Sequence, residues 1–203
     1  MKKIVLASSN QHKLKEIQAI LSDFEFELET MADAGFGDKE IVEDGDTFEA
    51  NSLIKAKAVF DALGVASLAD DSGLMVDYLD GAPGVYSARY AGEPTSYAKN
   101  NEKLLAALNG VPDSKRSAKF VTVLTLMFEN GDTLVARGEV HGVIGHELVG
   151  SNGFGYDPLF IVPDLGKTFA ELSEAEKNAL SHRANALIVL RGMIGKYYEN
   201  TRG

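Results

Sequence analysis

Five short stretches place side chains together that could do chemistry. Ala69-Asp70-Asp71-Ser72-Gly73 ends an apolar run with two adjacent acids. In an extended chain neighbouring side chains leave on opposite faces, so the two carboxylates should have different jobs. One could ligate a hard, oxygen-seeking cation such as Mg²⁺ and orient water. The alternative is an Asx-turn closing a strand. Ser8-Ser9-Asn10-Gln11-His12-Lys13 lies where a first strand should give way to a helix. Exposed amides at a helix N-terminus, with hydroxyls and a lysine nearby, favour phosphate. An ordinary cap by Ser9 or Asn10 explains the same residues.

Three further stretches are candidates. Asn51 and Lys55, four apart on one helix, share a face and could reach a ligand, although a solvated lysine is equally consistent. Gly150-Ser151-Asn152-Gly153-Phe154-Gly155-Tyr156-Asp157-Pro158 lets backbone approach a ligand closely, and Phe154 could stack on a base. A tight connection with a packed aromatic is the plain reading. Lys177 with His182 and Arg183 could offer donors to a base edge or lie on a polar surface.

Other chemistries are excluded. Gly166-Lys167-Thr168 ends like a P-loop, but the earlier glycine would have to stand at 161, which is Ile161. His141 and His146 have no carboxylate at metal-ligand spacing, and no Gly-x-Ser-x-Gly elbow is present. The absence of cysteine removes disulfides, thiolate catalysis and zinc–cysteine sites, and suits a reducing cytosol. A net charge of −10 opposes general binding to nucleic acid or anionic membranes, so a phosphorylated ligand would need cations gathered in one place. The apolar start at residues 1–7 is too short for a signal peptide, and no apolar run approaches the roughly 20 residues of a membrane helix.

The elements that must position these residues follow from periodicity. A strand is expected over 3–8 and a helix over 11–21, with Leu14, Ile17, Ile20 and Leu21 at helical spacing. A strand at 25–30 and a loop at 32–46 come next. The helix expected over 47–63 has Ala50, Leu53, Ala56, Phe60 and Leu63 on its buried stripe. Strands at 65–70 and 74–76 should be interrupted by the Asp-Asp-Ser-Gly turn. A loop at 80–92 and a helix at 96–108 lead to strands at 120–128 and 133–143, joined at Asn130-Gly131, a hairpin signal. Ser173 and Glu176 have capping-box spacing for a short helix, and a last helix should follow Ser181. Mixed strands and helices of this kind give an α/β or α+β sheet with helices on its faces, with 1–203 as one domain.

Together the segments resemble the inosine triphosphate pyrophosphatase family. The matching stretches are Leu6-Ala7-Ser8-Ser9-Asn10 to Lys13, Thr47-Phe48-Glu49-Ala50-Asn51 to Lys55, Ala69 to Leu74, Gly81 to Tyr90, Gly153-Phe154-Gly155-Tyr156-Asp157-Pro158, Lys167 to Leu172, and Glu176-Lys177 to Ser181-His182-Arg183. Seven in the family's order are far more specific than one. The resemblance implies an elongated central mixed β-sheet flanked by helices, in two lobes with the active-site cleft between them. It implies Mg²⁺-dependent hydrolysis of ITP, dITP and XTP to monophosphate and pyrophosphate, by a cytoplasmic homodimer with no nucleic-acid or membrane partner.

Roles follow position by position from the same resemblance. Ser8, Ser9, Asn10, Gln11, His12 and Lys13 form the phosphate-holding turn, and Lys55 adds positive charge. Asp71 binds Mg²⁺ and accepts the proton of the attacking water; Ser72 contacts substrate. Phe154, Gly155, Tyr156 and Asp157 form the loop on which the purine stacks, and Lys177, His182 and Arg183 recognise the base. Lys177 and Arg183 only donate, so they suit a 6-oxo acceptor over the 6-amino group of adenine. Many members carry two acids where this chain has Val42 and Glu43, so a usual metal ligand is missing unless Glu43 or Asp44 replaces it. Ser9 and His12 also stand where the family often has small residues or glycine. Two further readings differ from the main one: a related pyrophosphatase with another base preference, and a nucleotide-binding regulatory protein without catalysis, motivated by Val42.

Overall fold

The apolar opening run forms strand β1 (Lys2–Leu6), which pairs in parallel with β2 (Phe26–Thr30) on one side and with β3 (Ser67–Val76) on the other. The structure is a computed structural model that describes residues 2–8, 10–21, 26–37 and 41–201. Helix α1 (Gln11–Leu21) joins the first two strands, and α2 (Phe48–Leu63) precedes the third. Then come α3 (Tyr97–Ala107), β4 (Ser117–Met127), β5 (Thr133–Ile144), β6 (Phe160–Val162), β7 (Lys167–Thr168), α4 (Glu174–Leu180) and α5 (His182–Thr201). The seven strands make one mixed sheet in the order β2-β1-β3-β4-β5-β6-β7.

The chain divides into two compact units. The first comprises Met1–Asp71, Thr122–Gly138 and Arg183–Gly203, and the second Ser72–Val121 and Glu139–His182. In the first, strand alternation separates two apolar layers. Ile4, Leu6, Leu68, Leu124 and Leu126 pack with Leu14 and Ile17 of α1 and with Ala186, Leu187 and Leu190 of α5. Val5, Ala7, Ala69 and Met127 pack with Ala56 and Val59 of α2. Each fully buried large aliphatic side chain contributes roughly 1.5–3 kcal/mol. Helices thus cover both faces of the sheet in this unit, as period-two burial of a central strand requires.

The second unit has its own core, built from Leu74, Val76, Leu104, Leu108, Phe120, Ile144, Phe160 and Phe169. Phe120 lies at its centre, with ring centroids 4.7 Å from Phe160 and 5.7 Å from Phe169. The Asn130-Gly131 hairpin forms in the first unit: Phe128 N–H donates to Asp132 O, and Gly131 takes φ +85°.

Three expectations need correction. No turn interrupts residues 70–73; β3 runs through Asp70-Asp71-Ser72-Gly73 without a break. An Asx-turn is therefore ruled out, because the acids keep extended backbone in a central strand. The buried stripe of α2 also differs. It consists of Phe48, Asn51, Ser52, Lys55, Ala56 and Val59, while Leu53 is 41% exposed. Polar partners on β3 and β4 explain the shift: Ser52 Oγ donates to Thr125 Oγ1 at 2.7 Å, and Ser67 Oγ to Ala56 O at 2.8 Å. Finally, β6 and β7 fall in a region where no strand was expected.

Thr47 caps α2, its Oγ1 accepting from Ala50 N–H at 3.1 Å. Replacement by Ala should lower stability by about 1 kcal/mol in urea unfolding, and replacement by Ser should leave it nearly unchanged.

Candidate active site

The two acids of β3 turn to opposite faces. On the α1 and α5 side, Asp70 Oδ1 meets Lys13 Nζ at 2.6 Å, and Asp70 Oδ2 accepts from Arg183 Nε at 2.9 Å. Arg183 Nη1 is also paired with Glu16 of α1. Two cations and two carboxylates thus form a neutral cluster, and the Asp70 and Arg183 side chains are almost wholly buried. Burial opposes ionisation of Asp70, yet Arg183 and Lys13 hold its carboxyl well below the ordinary value of 3.8.

On the α2 side, Lys55 Nζ donates to Asp71 Oδ1 at 3.1 Å and to Glu43 Oε2 at 2.8 Å. Burial pushes the Asp71 carboxyl above its ordinary value, and the nearby Glu43 charge adds to this against the pull of Lys55 and Lys13. Glu43 also feels burial, but the charge and hydrogen bond of Lys55 outweigh it and hold Glu43 lower. Burial opposes charge on Lys55 itself, and the two carboxylates raise it overall. Asp71 Oδ2 is buried and accepts no hydrogen bond among the described residues. A carboxylate oxygen with no donor, next to a second carboxylate, fits the oxygen-only, low-ligand-count habit of Mg²⁺. Of residues 42–44, Glu43 is the acid that shares Lys55 with Asp71, while Val42 is 72% exposed and Asp44 is exposed too.

The turn after β1 is held by its own side chains. Ser8 Oγ accepts from Asn10 N–H at 3.2 Å, and Asn10 Oδ1 accepts from the N–H groups of His12 and Lys13 at 3.0 and 3.2 Å. Asn10 therefore caps α1, and the helix projects Lys13 onto Asp70. His12 is exposed. Ser9 and the side chain of Gln11 lie outside the described residues.

The second unit gathers the expected base-side residues. The Gly153–Asp157 loop folds on the Asp157 carboxylate, whose Oδ2 accepts from Phe154 N–H at 2.8 Å and from Lys177 Nζ at 2.7 Å. Gly153 is required there, since a Cβ would come within 2.1 Å of that oxygen. Lys177 Nζ stands 4.8 Å from the centre of the half-buried Phe154 ring, and Tyr97 of α3 packs at 6.1 Å from the same ring. Asn101 Nδ2 donates to Gly155 O at 2.9 Å. Tyr156 is buried, its hydroxyl donating to Ser87 O at 2.8 Å. His182 is buried with its ring stacked on Phe120 at 4.9 Å. Ser72 is half-buried in β3.

The structure thus brings Lys13, Lys55, Asp70, Asp71 and Arg183 together in the first unit, and Phe154, Asp157 and Lys177 together in the second. Arg183, expected with the base-recognition residues, has its guanidinium paired with Asp70 and Glu16. Sequence reading missed Glu16, Tyr97 and Asn101. The spacing of Lys13 and Glu16, three apart on one helix face, was a usable signal for the first; nothing local marked the other two.

This architecture defines an α/β protein that concentrates lysines and carboxylates where a central strand passes between helices. The chain belongs to the Ham1 family, whose model matches residues 4–193. A Clostridium perfringens protein named dITP/XTP pyrophosphatase is 50% identical over 197 residues, covering 94% of this chain and 96% of its own. One of the same name from Vibrio parahaemolyticus is 52% identical, covering 92% and 94%. Among solved structures, the Staphylococcus aureus Ham1 protein superposes with a TM-score of 0.86 at 42% identity, over 97% of this chain and 100% of that one. A HAM1 protein from Coxiella burnetii gives 0.86 at 44%, with the same coverage.

Asp70→Asn should destabilise the chain by about 3–5 kcal/mol at neutral pH, because the buried Arg183 and the half-buried Lys13 lose a shared partner. The Asp70 pKa is depressed on folding, so its contribution is complete above the ordinary carboxylate value and is lost as pH falls through the lower folded value. Urea unfolding of both proteins should therefore show the gap closing only below about pH 4.

Proposed function

We propose that the chain is a Mg²⁺-dependent nucleoside-triphosphate pyrophosphohydrolase that converts ITP, dITP and XTP to the monophosphate and pyrophosphate, keeping these bases out of DNA and RNA. The observation that carries this is the Asp71 carboxylate. One of its oxygens is on Lys55 and the other, beside Glu43, accepts no hydrogen bond among the described residues. Support also comes from half-identical relatives, matched over nine-tenths of their length, that bear the name dITP/XTP pyrophosphatase.

Asp71 accepts a proton from water as the water oxygen attacks the α-phosphorus; the bond from that phosphorus to the bridging oxygen breaks, and pyrophosphate leaves. Burial suits Asp71 to this work, since a carboxyl pushed upward is a stronger base near neutral pH. Asp71 and Glu43 would hold Mg²⁺, which would supply charge neutralisation for the phosphoryl oxygens and a more acidic water. Lys55 orients both acids and keeps a third N–H for a phosphate oxygen. Lys13 spends one donor on Asp70 and keeps two for the same purpose. Ser8, Asn10 and the first amides of α1 shape the turn around the phosphates.

The second unit handles the base. Phe154 offers a ring for stacking, and Lys177, steered by Asp157, offers a donor to a 6-oxo group that adenine lacks. Arg183 serves through its ion pairs with Asp70 and Glu16. The protein acts as a cytoplasmic homodimer on free nucleotides, and its net charge of −10 supports exclusion of nucleic acid. No helix among the described residues is long and apolar enough to cross a membrane. The non-catalytic regulatory reading rests on Val42 alone, and the acid beside it, Glu43, shares Lys55 with Asp71.

A panel of ITP, dITP, XTP, dGTP, ATP and dUTP with Mg²⁺ should release pyrophosphate, fastest from the first three; orthophosphate alone would mean that another bond is cut. Asp71→Asn should reduce turnover of ITP by about 10²-fold or more while the circular dichroism spectrum is kept. Near-normal turnover would remove Asp71 as the base.

A further inference from the structure

Asn51 is buried to 1% exposure in the second turn of α2, yet none of the roles above uses it. A polar side chain in that position needs a partner, because an unpaired buried amide costs roughly 1–3 kcal/mol. Its Oδ1 accepts from Gly45 N–H at 2.8 Å, reaching back across the start of the helix to the preceding loop. The approach is tight. A Cβ at Gly45 would lie 2.7 Å from Ala50 Cβ and 2.7 Å from Asn51 Oδ1, closer than real side chains come. Two residues before Gly45, the Glu43 carboxylate reaches Lys55, which in turn holds Asp71.

The arrangement has a mechanical logic. Val42, Asp44 and Asp46 are exposed, so the loop around Glu43 has little packing of its own. Glutamate has three rotatable bonds, and a loose backbone would let its carboxylate drift from Asp71. The Asn51–Gly45 hydrogen bond fixes the backbone next to Glu43 to a helix that also carries Lys55. We propose that Asn51 is a positioning residue: by clamping Gly45, it sets the Glu43 carboxylate beside Asp71 so that both acids face a divalent cation together. This rests on the reading that Glu43 and Asp71 hold the metal. Partners standing behind metal ligands typically change affinity about 10–100-fold when removed.

Mn²⁺ titration of the full chain without nucleotide, followed by the electron paramagnetic resonance of free Mn²⁺, tests this. Asn51→Leu keeps the shape of the side chain and removes the acceptor. Gly45→Ala keeps the donor and blocks the approach from the loop side, leaving every helix residue unchanged. Each should weaken Mn²⁺ binding about 10–100-fold with a cooperative thermal transition retained. In a Glu43→Gln background, Asn51→Leu should add less than about twofold, because its effect passes through Glu43. Full Mn²⁺ affinity in both Asn51→Leu and Gly45→Ala would overturn the positioning role while leaving the metal site standing. So would an Asn51→Leu effect of equal size with and without Glu43, which is what a general loosening of α2 produces. If the unaltered chain takes up no Mn²⁺ at millimolar concentration, the metal reading falls and the clamp with it.

Discussion

Adjacent side chains of a β-strand leave on opposite sides, and at Asp70 and Asp71 this alternation separates two carboxylates that would otherwise repel each other. Asp70 faces α1 and α5, where Lys13 and Arg183 neutralise it; Asp71 faces α2, where Lys55 must serve Glu43 as well. The imbalance matters. One acid has two cations and is fixed in its charged form, while the other shares one cation with a neighbour and is pushed upward. A single strand thereby yields, from identical residues, one anion held in its charged form and one whose carboxyl is pushed upward. The flanking helices then have to bring the right number of positive charges to each face, which dictates what α1, α2 and α5 carry inward.

The second unit solves a related problem with less charge. Asp157 gathers a loop amide and a lysine on one oxygen, so one buried carboxylate orients the Phe154 ring and the Lys177 ammonium together. Phe120 does the same by shape, stacking His182 against an aromatic core. Both are instances of a side chain whose orientation is set by buried partners behind it.

Much of this was legible in the sequence. Long periodic segments such as α1, α3, α5 and the β4–β5 hairpin announce themselves through spacing, capping residues and an Asn-Gly turn. The opposite facing of Asp70 and Asp71 follows from strand geometry alone. Other features left no such trace. The Asp-Ser-Gly composition after Asp70 looks like a turn because turn propensity is local, whereas β3 is held extended by neighbours on both sides. β6 and β7, three and two residues long, are too short to show alternation. The buried face of α2 carries Asn51, Ser52 and Lys55, which hydrophobic periodicity cannot detect, since its signal assumes that buried means apolar. The bond between Arg183 and Asp70 spans 113 residues and reflects tertiary packing rather than any motif.

Each compact unit is assembled from separated stretches of chain, three for the first and two for the second. β3, β4 and β5 each begin in one unit and end in the other. Genetic recombination that swapped one contiguous segment would leave such strands half native and half foreign, so neither unit can be inherited as a module. Change confined to one unit in a lineage built this way has to come from substitutions at individual positions within an otherwise intact chain.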